Sequence, residues 1–135
     1  VLFDLINSNV LEQRQTFFVH GGVDAEDREK VREITELENN AIIVASYGTF
    51  STGINIKNLH NIIFASPSKS RIRNLQSIGR VLRKGNNKTK ATLYDIADDT
   101  TYKTRRNYTL NHLIERLKIY NYEKFNYDII NISFK

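Results

Sequence analysis

The 135 residues contain no cysteine, no methionine and no tryptophan, and proline occurs once. Without cysteine there is no disulfide scaffold, no thiolate metal site and no cysteine nucleophile. A reducing, cytoplasmic setting is therefore expected. One proline and six glycines exclude collagen-like and low-complexity chains. No apolar run approaches the roughly 20 residues that cross a bilayer. The opening Val1-Leu2-Phe3-Asp4 shows neither a basic start nor a small-residue cleavage site, so no membrane partner is expected. What is present is ordinary for a globular domain: 40% apolar and 26% charged residues, in a length suited to one core.

Acid is missing in one place. Seven acidic residues lie between Asp24 and Glu38, and the next is Asp95. The stretch between carries Lys57, Lys69, Arg71, Arg73, Arg80, Arg83, Lys84, Lys88 and Lys90. A cationic segment without internal neutralisation suits a polyanion, either nucleic acid or nucleotide phosphates, or else forms a solvated basic face.

Hydrophobic patterning alternates strands with helices. Leu2 to Leu11 reads as a helix, and Gln15 to His20 as a strand closed by Gly21-Gly22. Asp24 is placed to cap a following helix, with Glu26 and Asp27 in its first turn and Val31, Ile34 and Leu37 as its apolar stripe. Ala41 to Ala45, Asn61 to Ala65 and Ala91 to Ala97 read as strands buried on both faces. Ser70 to Lys84 is helical by period. Tyr102 to Phe125 reads as a long helix with Leu110, Leu113, Ile114 and Leu117 on one side, and Asn126 to Phe134 as a last strand. The alternation predicts an α/β domain with a mainly parallel sheet. Ligands gather at the carboxyl ends of such strands, here the loops 20–24, 46–55 and 66–70.

The segment Arg71 to Lys84 holds the most chemistry. Ile72, Leu75, Ile78, Gly79 and Leu82 share a broad helical face suited to packing on the sheet. Arg73, Gln76, Arg80 and Arg83 share the opposite one. Gly79 costs about 1 kcal/mol in a helix interior, and close approach of a backbone, strand or phosphate is the usual reason. Two guanidinium groups one turn apart suit an anion between them. They would serve equally as an arginine finger on a nucleotide or as a basic helix on a nucleic-acid backbone. The loop Ser46 to Asn55 adds hydroxyls, Gly48, Gly53 and backbone amides suited to phosphate oxygens.

No G-x-x-x-x-G-K-[ST] loop occurs, and no acidic pair is placed to hold Mg²⁺ beside one. Asp98 and Asp99 read as structural residues. His20, His60 and His112 lack metal-ligand spacing and read as packing or surface side chains. Alone, the chain lacks the parts to bind and hydrolyse a nucleotide, and it reads as half of an active site.

Those residues resemble a known set. VASYGTFSTGIN is similar to motif V of superfamily 2 helicases, and QSIGRVLR to their motif VI, Q/H-x-x-G-R-x-x-R. FFVHGG with Arg28 downstream resembles the segment between motifs IV and V. Within the superfamily the pattern, including YEKFNY near the C-terminus, is similar to UvsW-type phage DNA helicases.

The resemblance implies a RecA-like three-layer α/β/α domain over residues 1–100, with a helix-and-strand extension over 101–135. It implies that a motif IV strand precedes Val1. It also implies an ATP-dependent DNA helicase whose ATP and Mg²⁺ are bound mainly by an N-terminal RecA-like partner domain. Arg83 would be the arginine finger and Arg80 a second phosphate contact. Gln76 and Gly79 would line the interdomain cleft, with Gly53 and Asn55 toward the nucleotide ribose. Many family members carry Asp where Asn55 stands; Asn keeps a hydrogen bond there and removes the charge. Ser46, Thr49, Lys69 and Arg73 would meet the DNA backbone. The rival reading of the same residues is a non-enzymatic basic α/β nucleic-acid-binding module, or the motor subunit of a restriction-type translocase.

Overall fold

The computed structural model describes residues 1–10, 13–49, 56–66, 70, 75, 78–79, 90–105 and 107–133. Within them the chain runs α1 (Leu2–Asn9), β1 (Thr16–Val19), α2 (Ala25–Leu37), β2 (Ile42–Ala45), β3 (Asn61–Phe64), β4 (Thr92–Asp95) and α3 (Tyr108–Tyr122). The expected alternation is present, and its strands pair in parallel. Thr16 to Val19 run beside Ile42 to Ala45, and Asn61 to Phe64 beside Thr92 to Asp95.

A single sheet was expected. The described residues instead form two parallel pairs, β1–β2 and β3–β4. Side chains join them at their carboxyl ends: the Tyr47 ring, just past β2, lies 5.4 Å from that of Phe64 at the end of β3.

Local chemistry explains where the elements stop. In α1, the Ser8 hydroxyl donates to the Asp4 carbonyl at 2.7 Å and the Asn9 amide to the Leu5 carbonyl at 2.8 Å. Such side chains compete for the backbone at a helix end, and α1 finishes there, short of Leu11. Asp24 occupies the N-cap of α2 in extended conformation, but its side chain makes no capping hydrogen bond. Glu26 and Asp27 supply the first-turn negative charge.

The inward face of α2 differs from the expected stripe. Val31 packs on the Val19–Ile56 core and Thr35 is buried, whereas Ile34 is exposed and Leu37 is 85% exposed. Thr35 fits inside because its hydroxyl donates to the Val31 carbonyl at 2.7 Å, leaving no unmet polar group. The end of α2 is tied to the next turn, where the Asn58 amide donates to the Glu38 carbonyl at 2.9 Å and the Lys57 N–H donates to Glu36.

The strand Asn61 to Phe64 was expected to be buried on both faces. It alternates: Phe64 is buried and Ile63 is 60% exposed. One face of the β3–β4 pair meets a core of Phe64, Ile78 and Tyr120, with Ile62, Leu93, Leu117 and Phe125 around it, while Ile63 and Tyr94 face away.

At the C-terminus two expectations are corrected. The helix begins at Tyr108 rather than Tyr102, because residues 102–105 form a tight turn with Lys103 at φ 53°. Asn107 then caps the helix, its side chain accepting from the Leu110 N–H at 3.2 Å. Its deepest side chains are Arg116, Ile119 and Tyr120, while Leu110, Leu113, Ile114 and Leu117 are half-buried. Residues 126–133 form no strand, and Ile130 and Ile132 are exposed: their alternation finds no neighbouring strand among the described residues. Asp98 and Asp99 are structural as expected. The Asp98 carbonyl accepts from Asn107 and Thr109, and the Asp99 carboxylate from the Thr101 N–H and hydroxyl.

Candidate functional site

β2 ends in a turn whose geometry follows from its sequence. Ser46 leaves the strand, its N–H donating to the Val19 carbonyl at 3.3 Å, and residues 47–49 are helical. Ser46 caps that turn: its hydroxyl accepts from the Thr49 N–H at 3.4 Å and lies 2.8 Å from the Thr49 hydroxyl. Ser46 is exposed and Thr49 only 6% exposed. Ser46 presents the outward hydroxyl, and Thr49 holds it from behind.

Tyr47 follows the cap. Its hydroxyl donates to the Ser66 carbonyl at 3.0 Å, past the end of β3. Burial pushes this phenol up to about 12, so it stays a donor at neutral pH.

The first βα loop is shaped by one contact. His20 Nδ1 accepts from the Gly22 N–H at 3.1 Å, and a Cβ at Gly22 would come within 3.0 Å of the His20 ring. A larger residue at Gly22 would press on the His20 ring, which would have to shift by a few tenths of an ångström. The His20 ring also lies tilted against Phe18, with centroids 4.9 Å apart, so this histidine is a surface side chain that shapes the loop.

The arginine-bearing segment is described at Leu75, Ile78 and Gly79. All three are helical, with Ile78 buried against Phe64 and Tyr120. Gly79 was grouped with that packing face. It is instead exposed, and a Cβ added there would meet nothing within 4 Å. No neighbour within the described fold accounts for this glycine. Gln76, Arg80, Arg83, Gly53, Asn55, Lys69 and Arg73 lie outside the described residues.

Beneath this edge sits a polar cluster that sequence reasoning missed. Arg116 of α3 is 0% exposed and makes two bonds to the Asp95 carboxylate, from Nε at 2.7 Å and from the terminal guanidinium nitrogen at 2.6 Å. The Tyr120 hydroxyl donates to the same carboxylate at 2.7 Å. Burial opposes the Arg116 charge, and the Asp95 carboxylate outweighs it, so the guanidinium is held above its ordinary range. Burial, and then the bond to Asp95, push the Tyr120 phenol well up. The available signal was Asp95 as the first acid after the cationic stretch, with Arg116 and Tyr120 one helical turn apart.

The exposed Ser46 cap and the unexplained Gly79 both fall inside a family match. Residues 3–85 match the helicase conserved C-terminal domain. The chain belongs to that family. The matched stretch spans Val44 to Asn55 and Gln76 to Arg83, the two segments that resemble helicase motifs.

The chain is 44% identical over 136 residues to the ATP-dependent DNA helicase uvsW of Enterobacteria phage T4, covering 93% of this chain and 26% of the phage protein. It is 33% identical over 69 residues to the putative helicase 22 of Sulfolobus islandicus filamentous virus (isolate Iceland/Hveragerdi), covering 50% of this chain and 12% of that protein. The chain thus spans about a quarter or less of the length of these relatives. Among solved structures, the C-terminal part of the Fun30 ATPase domain superposes with a TM-score of 0.61 at 12% identity, over 90% of this chain and 44% of that one. That likeness shows the fold: the helicase C-terminal domain is RecA-like α/β. Among the described residues, no helix is long and apolar enough to cross a membrane.

Proposed function

We propose that this chain is the second motor domain of an ATP-dependent DNA helicase or translocase that remodels branched DNA in recombination and repair. The observation that carries the reading is the family match across both motifs, joined to 44% identity with a DNA helicase over nearly the whole chain. In the full protein, an N-terminal RecA-like domain binds most of the ATP and its Mg²⁺. Gly79 supports a shared cleft, because a helical glycine with open space beside it suits close approach by a ligand or a second domain. Among the described residues, no group of three His, Asp or Glu side chains is placed to hold a metal.

The residues of this chain bind and orient. Arg83 and Arg80 present planar donors to the terminal phosphates, and Arg83 stabilises charge on the transferring group. Gln76 lies at the cleft, and Gly53 and Asn55 face the ribose. Ser46, backed by Thr49, holds the DNA backbone with Lys69 and Arg73. ATP, when bound, supplies the phosphoryl group whose transfer to water drives the cycle. Closure of the cleft around it moves one domain along DNA relative to the other.

The test is Arg83→Ala in the full-length protein. Turnover of ATP falls by about 10³–10⁵ while the melting temperature is retained. Normal turnover overturns the assignment. A basic module that only binds nucleic acid would show no ATP turnover in the unaltered full-length protein, and the isolated chain would bind DNA strongly with a steep salt dependence.

A further inference from the structure

The turn that presents Ser46 and the strand end that leads toward the arginines meet through one side chain. Tyr47 is the residue next to the Ser46 cap. Its ring packs beside Phe64, and its hydroxyl holds the Ser66 carbonyl at 3.0 Å. Phe64 is in turn packed with Ile78, one residue before Gly79. The β1–β2 and β3–β4 pairs share no strand pairing among the described residues, so a displacement of the Ser46 turn is not carried across by a sheet ladder. The Tyr47 ring and hydroxyl do span the two pairs, the ring lying beside Phe64 and the hydroxyl reaching backbone at residue 66.

Resting on the helicase reading above, we infer that Tyr47 is a positioning residue that transmits DNA engagement at Ser46 to the segment bearing Arg80 and Arg83, through its hydrogen bond to Ser66 and its packing on Phe64. Two features make the link stiff. The ring belongs to a buried cluster with Phe64, Ile78 and Tyr120, and the acceptor is main chain, which cannot swing away as a side chain can. The Arg116–Asp95–Tyr120 cluster forms the floor of the same region and fixes the end of β4.

The experiment uses the full-length protein and measures ATP turnover with and without a branched DNA oligonucleotide, together with DNA affinity. Tyr47→Phe keeps the ring and removes the hydroxyl. The ratio of DNA-stimulated to DNA-free turnover is expected to fall about fivefold or more, with DNA affinity within about twofold of the original. Tyr120→Phe is the control: it removes a hydroxyl from the same buried region, bonded to Asp95, and should lower the melting temperature while leaving the ratio intact. An unchanged ratio in Tyr47→Phe overturns the inference. So does an equal fall in Tyr120→Phe, which would make the effect one of general loosening. If the unaltered protein shows no stimulation by DNA, the helicase reading itself fails, and this inference fails with it.

Discussion

Two helical stretches meet the β3–β4 pair, and they treat polarity in opposite ways. In α3 a charge points inward, where Arg116 is fully buried and doubly bonded to Asp95. Around Ile78 the apolar side points inward and a glycine faces out with nothing beside it. A buried charge paired with a carboxylate inside the fold serves the fold. An exposed helical glycine lowers helix stability with no return among the described residues.

The comparison breaks most easily at Arg116. Arg116→Ala leaves the Asp95 carboxylate buried without its cation, and should cost about 3–5 kcal/mol in a denaturant titration. A loss below about 1 kcal/mol would place the pair among solvated ion pairs and erase the contrast.

Tyr120→Phe probes the same cluster more gently. It removes one hydrogen bond to a charged acceptor and should cost about 1.5–3 kcal/mol. Because Arg116 keeps its two bonds to Asp95, the fold should persist.

Raising pH tests both phenols without mutation. Tyr47 and Tyr120 hold their protons more tightly folded than unfolded, with Tyr47 at about 12 against an ordinary value of 10.0. Their contribution is fully present below about pH 10 and is lost as pH climbs through the folded value. Melting temperature should therefore fall on the alkaline side above about pH 10, and the fall should shrink in Tyr47→Phe. An identical alkaline profile in that variant would contradict the buried setting of the hydroxyl.

Gly79→Ala sharpens the other half of the contrast. With open space for a Cβ and no positive φ among the described glycines, alanine should stabilise the isolated domain by up to about 1 kcal/mol. In the full-length protein the same change should reduce ATP turnover if a partner approaches there. Greater stability with undiminished turnover would leave Gly79 without a functional reason.

Legibility in the sequence followed the reach of each interaction. β-branched runs such as Ile42-Ile43-Val44 located strands, and Asp24 with Glu26 and Asp27 located the start of α2, because these depend on neighbours a few residues away. The start of α3 was misplaced because Lys103 in a left-handed turn and the Asn107 cap overrode the apolar period upstream. The stripe Val31, Ile34 and Leu37 failed at two positions because the core is met at Thr35 instead, and the angle at which a helix lands depends on the sheet beneath it. Gln76, Arg80 and Arg83 lie outside the described residues, and their phosphate-facing roles belong to the proposed function.

What this sequence determined alone was its α/β alternation, its acid-free cationic segment and its membership of a helicase domain family, all properties of residues close together in the chain. Tertiary structure decided which polar groups go inside. It joined Asp95 to Arg116 and Tyr120 across more than 20 residues and carried Tyr47 to Ser66. Desolvation is the reason: a buried polar atom must find its partner wherever the fold brings one, and no local pattern encodes that distance.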